Sequence, residues 1–185
     1  ESVIQEAFRK AFGHVSSREI AQMEAKLIAE GIKVEEIQSL CSIHARVFEG
    51  QVEDTVNVQR IEDEWGHPLF VFRKENEGLQ SYLQNVVYPA REAFRRMPSV
   101  ELGEALLFAM SGLQKLDRHY ARKENLFFPY LEKAGITGPP QVMWGVDDEI
   151  RAMLKDIQST ESGDHALLDL VDSALAEITP MIKKE

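Results

Sequence analysis

The chain has 185 residues, a net charge of −10, one cysteine, and 44% hydrophobic against 28% charged residues. Those values describe an ordinary globular protein of one domain or two small ones. They exclude a disulfide scaffold, and they exclude non-specific nucleic-acid binding because a polyanion would be repelled. No run approaches the roughly 20 apolar residues that cross a bilayer, so no membrane partner is expected. No signal peptide is visible, and a chain that opens on Glu1 reads as a trimmed fragment. The lone thiol, Cys41, suits a reducing cytoplasm.

Prolines and glycines separate helical patterns throughout, and no run alternates as a strand would. The expected class is all-α. Residues 1–50 form a small N-terminal domain of three short helices. The first covers 2–12 and stops near Gly13; the second opens on the capping box Ser16-Ser17-Arg18-Glu19 and ends at Gly31; the third covers 34–48. Residues 51–64 read as an acidic linker, in a stretch where Glu49, Glu53, Asp54, Glu62, Asp63 and Glu64 face Arg60 alone.

Four longer helices over 65–185 predict an up-down-up-down bundle. The first starts at Gly66-His67-Pro68 and runs to about Met97. Ser99 caps the second, which continues to about Lys133 with a kink or tightening expected at Pro129. The third runs from Gly138-Pro139-Pro140 to about Ser159, and the fourth from Gly163-Asp164 to the end.

At about 100° per residue, each core stripe can be read position by position. The second helix gives Leu102, Leu106, Ala109, Leu113, Leu116, Tyr120, Glu124 and Phe127, with His119 about 120° off centre, on the flank. Leu69, Phe72, Asn76, Leu79, Leu83 and Val86 form the stripe of the first helix, with Glu75 at its edge. Met143, Val146, Ile150, Met153 and Ile157 form that of the third, with Asp147 just inside the edge, and Leu168, Val171, Leu175, Ile178 and Ile182 that of the fourth.

In antiparallel packing these polar groups gather at one end of the bundle. A buried carboxylate costs several kcal/mol unless it is paired, protonated or metal-bound. Carboxylates and imidazoles on facing helices are how bundles hold a di-iron or di-manganese centre. Each residue also has an ordinary reading. Glu124 can be satisfied by Tyr120 or a lysine, His67 can cap its helix beside Pro68, and Asp147 can be a first-turn acid complementing the helix dipole. His119 stays on the flank unless the helix is overwound or carries a π-bulge. Cys41 and His44, one turn apart, could pair on a metal or haem, or be a buried thiol and its neighbour.

The run RKENLFFPYLEKAGITGPPQVMWGVDDEIR (122–151), with His67-Pro68 before it, resembles hemerythrin-like (HHE cation-binding) domains over about 65–185. EEIQSLCSIHARVFEG (35–50) resembles an uncharacterised helical domain that often precedes that bundle in bacterial and archaeal proteins, where a PAS sensor domain often follows. The resemblance implies a four-helix bundle holding non-haem iron, commonly a di-iron pair, that binds or senses oxygen, nitric oxide or iron. The pattern departs at Tyr120, Leu69-Phe70, Ala134, Asp147 and Met181, so of the family's histidines only His67 and His119 remain. It therefore implies a reduced, carboxylate-rich set of His67, His119, Glu124 and Asp147, with Tyr120, Glu75 and Asn76 as supporting or substitute ligands. No nucleophile–base pair, phosphate loop or zinc spacing is present, so no enzyme activity is expected. The alternative is a metal-free packing, dimerisation or small-ligand module of a larger signalling protein, with a PAS domain or a second copy as partner.

Overall fold

The computed structural model describes residues 65–164 and 166–184, with Glu19, Met23, 26–28 and 30–32 of the N-terminal third. The expected helices over 2–12 and 34–48, the linker 51–64, Cys41, His44 and Glu185 lie outside the described residues. All regular elements among those residues are helical, so the chain is all-α. None of these helices is long and apolar enough to cross a membrane.

In chain order the elements are α1 (Pro68–Tyr82), a π turn (Leu83–Val87), α2 (Tyr88–Arg96), α3 (Val100–Ser111), a 3₁₀ segment (Gly112–Lys115) and α4 (Leu116–Arg122). A second π turn (Lys123–Phe127), α5 (Phe128–Lys133), α6 (Gly138–Ser159) and α7 (Ala166–Lys184) follow. Both π turns end two residues before a proline, Pro89 and Pro129. A proline has no N–H to give to the carbonyl four residues earlier, so the helix widens there rather than leave its bonding pattern broken. Ahead of Pro129, where a kink or tightening is expected, the helix instead widens into a π turn.

The described residues divide between two compact units, one that includes Lys123–Val146 and one within Arg60–Arg122 and Asp147–Glu185. In the first, Gly135 ends α5 at a φ of 80°, with Ile136 N–H donating back to the Leu131 carbonyl at 2.9 Å. That left-handed helix end is open to glycine at little cost. Gly31 closes its own helical stretch in the same way, at a φ of 95°, where the sequence places that end. Phe128 packs against Trp144, with ring centroids 6.2 Å apart.

In the second unit the helices run antiparallel. Tyr82 donates to the Ala109 carbonyl at 2.9 Å, and Glu75 meets His119 at the far end of the same pair. Tyr88 meets Thr179 at 2.9 Å, while Arg91 and Arg95 both pair with Asp172 near the start of α7. Gln158 donates to the Leu107 carbonyl, and Arg151 pairs with Asp117 at 3.0 Å. The core of this unit is Phe72, Leu83, Val87, Phe94, Leu106, Met110, Leu113 and Leu116, with Ile150, Leu154 and Ile157 of α6 and Leu167, Val171, Ile178 and Ile182 of α7.

The stripes differ from the ideal-helix reading in instructive places. At the end of the first π turn Val87 is buried and Val86 is exposed, and Leu69 in the opening turn of α1 is exposed too. After the second, Phe128 is buried where Phe127 was expected. Each π turn inserts about one extra residue into the register. On α6 the buried face is Asp147, Ile150, Leu154 and Ile157, so Asp147 lies at its centre. It is the tenth residue of that helix rather than a first-turn acid.

Candidate functional site

The sequence places His119 on the flank, but in the structure it is only 3% exposed. The reason lies upstream. A 3₁₀ segment advances about 120° per residue instead of about 100°, so Gly112–Lys115 adds about 80° of rotation. That turns most of the expected offset inward.

Once inside, the His119 ring stacks on Phe72, with centroids 4.1 Å apart and planes 10° from parallel. Its Nδ1 lies 2.9 Å from Glu75 Oε2. The other Glu75 oxygen, Oε1, pairs with Arg122. A carboxylate set between a guanidinium and an imidazole accepts from both, so Nδ1 carries a proton. Glu75 thereby fixes both tautomer and ring plane, the role that a carboxylate plays behind a metal-bound histidine.

Around this pair the second unit gathers further polar groups. Asn76, next to Glu75, is buried, and its Oδ1 has no hydrogen-bond partner among the described residues. Tyr120 is fully buried, and the Arg151 guanidinium lies over its ring, 5.6 Å from the centroid. Arg151 is itself held by Asp117 and by Asp148, the latter at 2.7 Å. Asp147, one helical turn before Arg151, is completely buried. In the first unit Lys123 and Glu124 are buried side by side at the start of the second π turn.

His67 serves as the N-cap of α1. Its Nδ1 accepts from Leu69 N–H at 3.2 Å, beside Pro68 at the opening position. A neutral ring that accepts at Nδ1 carries its proton on Nε2, so ligation through Nε2 would cost it the cap. It also lies eight residues before Glu75 on the sequence, about 12 Å along a helix axis.

The family-type metal centre can be tested against these groups. Among the described residues no set of three or more His, Cys, Asp or Glu side chains is placed to hold one ion. His119 Nδ1 and both Glu75 oxygens are engaged within the protein, and the nearest charge to Glu75 is the guanidinium of Arg122. The described donor set does not fit a di-iron pair.

Arg122 and Arg151 were not singled out from the sequence. Their signal is spacing. Arg122 follows His119 by three residues, hence one turn on, and Arg151 follows Asp147 by four.

A groove of about 400 Å³ opens beside the pair, between α1 and the segment from Gly112 to Arg122. Gly112 permits it. A Cβ there would lie 2.1 Å from the Tyr82 hydroxyl, so only glycine lets that ring cross to the Ala109 carbonyl.

Two family models match the chain. One, described as a hemerythrin HHE cation binding domain, covers residues 67–185, and the other, a family of unknown function (DUF438), covers residues 1–54. No curated protein and no solved structure matches.

Proposed function

Since the chain belongs to the hemerythrin HHE cation-binding family, whose domains are metal-binding modules, we propose that it is a non-catalytic signalling module of that type. In it a basic side chain of the protein occupies the place of a metal charge in the polar layer. The observation that carries this reading is Glu75, whose two oxygens are taken by His119 and Arg122. A cation relieves carboxylate repulsion in a bundle interior, and a guanidinium paired with a carboxylate supplies the same charge without a binding equilibrium. The module would pass a change in this layer to the N-terminal DUF438 region, to a PAS-type domain or to a second copy, in the cytoplasm.

A second reading keeps the metal. The family match favours a bound cation such as non-haem iron, reporting oxygen, nitric oxide or iron. Metal analysis and near-ultraviolet absorption of the full chain, expressed with ample iron, separate the two. The first reading expects far less than one metal ion per chain and no charge-transfer band. Stoichiometric iron with such a band would overturn it. Tyr120→His restores the histidine that the family pattern places there; iron uptake by that variant alone marks Tyr120 as the residue that closed the site.

A further inference from the structure

We infer that the groove between α1 and the Gly112–Arg122 segment binds a small phosphate monoester bearing an apolar or planar body. This goes beyond the signalling reading and does not depend on it.

Lys115, Arg118 and Arg122 recur at spacings of three and four, so they share one helix face, and all three line the groove. The carboxylate among the lining residues is Glu75, already held by Arg122 and His119. Lys115 and Arg118 make no ion pair or hydrogen bond among the described residues and lie exposed at the groove wall. Two uncommitted basic groups one turn apart suit a doubly charged anionic partner. A phosphate monoester carries close to two negative charges at neutral pH; a single carboxylate carries one.

The facing wall is of another kind. Leu79 and the Tyr82 ring line it, and the Tyr82 hydroxyl is turned away to the Ala109 carbonyl. Charge on one wall and apolar surface on the other select an occupant with a charged head and a non-polar body. The volume of about 400 Å³ is in the range of small-molecule sites.

Gly78 provides the discriminating variant. A Cβ built there meets nothing within 4 Å, so Gly78→Leu adds bulk at the groove wall with charge unchanged. Leucine is also the better helix former, so this variant keeps the fold. Calorimetric titration of the full chain with phenyl phosphate at fixed ionic strength is expected to show one saturable site. Inorganic phosphate should bind more weakly. Lys115→Ala and Arg118→Ala should each weaken phenyl phosphate about tenfold, and Gly78→Leu should abolish its binding. Three results overturn the inference: no saturable binding, binding that survives Gly78→Leu, or inorganic phosphate binding as tightly as phenyl phosphate. The last two would mean a diffusely charged surface rather than a site.

Discussion

Removing Glu75 tests the geometry of the polar layer most directly. In Glu75→Ala the His119 Nδ1–H loses its acceptor while the ring stays in a position only 3% exposed. A buried donor left without a partner costs about 1–3 kcal/mol. Arg122, whose side chain is 45% exposed, returns to water and adds about 0.5 kcal/mol or less. The expected loss is about 2 kcal/mol, or about 4–8 °C in melting temperature for a chain of this size. Glu75→Gln should cost less, about 1 kcal/mol, because its amide oxygen still serves one of the two donors.

Two measurements check this. Urea denaturation gives the free energies, and nitrogen NMR of the imidazole gives the tautomer. The wild type should carry its proton on Nδ1, and Glu75→Ala should shift the ring toward the other tautomer or a mixture. A double-mutant cycle of Glu75→Ala with His119→Phe should recover about 1 kcal/mol or more of coupling, since phenylalanine preserves the stack on Phe72 and removes the orphaned donor. An Nε2-protonated ring in the wild type, or a Glu75→Ala loss below about 0.5 kcal/mol, would refute the bridged arrangement.

Other consequences can be measured separately. The hydrogen bond from Arg91, helped by the nearby charges of Arg91 and Arg95, holds the Asp172 carboxyl below the usual carboxylate range. A folded-state value below the unfolded one contributes stability in full above about pH 5 and loses it as pH falls through the folded value. Asp172→Asn should therefore cost about 1 kcal/mol at pH 7, discounted for partial exposure, and almost nothing in strong acid, as paired denaturation curves would reveal. Gly112→Ala drives a methyl into the Tyr82 phenol and should cost about 1–3 kcal/mol; Tyr82→Phe in the same chain should recover part of it. Gly103→Ala should cost more, because the atom its Cβ would meet, at 1.8 Å, is the backbone carbonyl oxygen of Ser162.

The fold was legible because its punctuation is strong. Pro68, Ser99, Gly138 and Asp164 mark helix starts, and the structure puts caps or opening turns there. Glu124 and Tyr120 were legible as buried because they sit on a long apolar stripe. The phase of α6 was not. Met143, Val146, Ile150, Met153 and Ile157 share Ile150 and Ile157 with the buried set, so the apolar pattern allows two faces one residue apart, and packing selects the one centred on Asp147. Pairing partners were also out of reach. Nothing in a one-dimensional pattern ties Glu75 to Arg122, or Tyr120 to Arg151, because long polar side chains reach across helices from either edge of a stripe.

His119 is the case where helix irregularity decides what is buried. On an ideal helix it would face the flank and Glu75 would have no imidazole to hold. The 3₁₀ segment overwinds the helix ahead of it, and the π turn at Lys123–Phe127 underwinds the chain after it. The two rotations have opposite sense, and Leu113, Leu116 and Tyr120 stay buried within and beyond the first. Between them lies a short window, Leu116–Arg122, in which both His119 and Tyr120 face inward. Each irregularity has a local cause in the sequence: Gly112, where the Tyr82 ring must pass, and Pro129, which withholds a donor. A polar layer at this level therefore needs no extra helix and no insertion. It follows from one glycine and one proline, placed so that a buried imidazole and the acid that orients it arrive on facing helices at the same height.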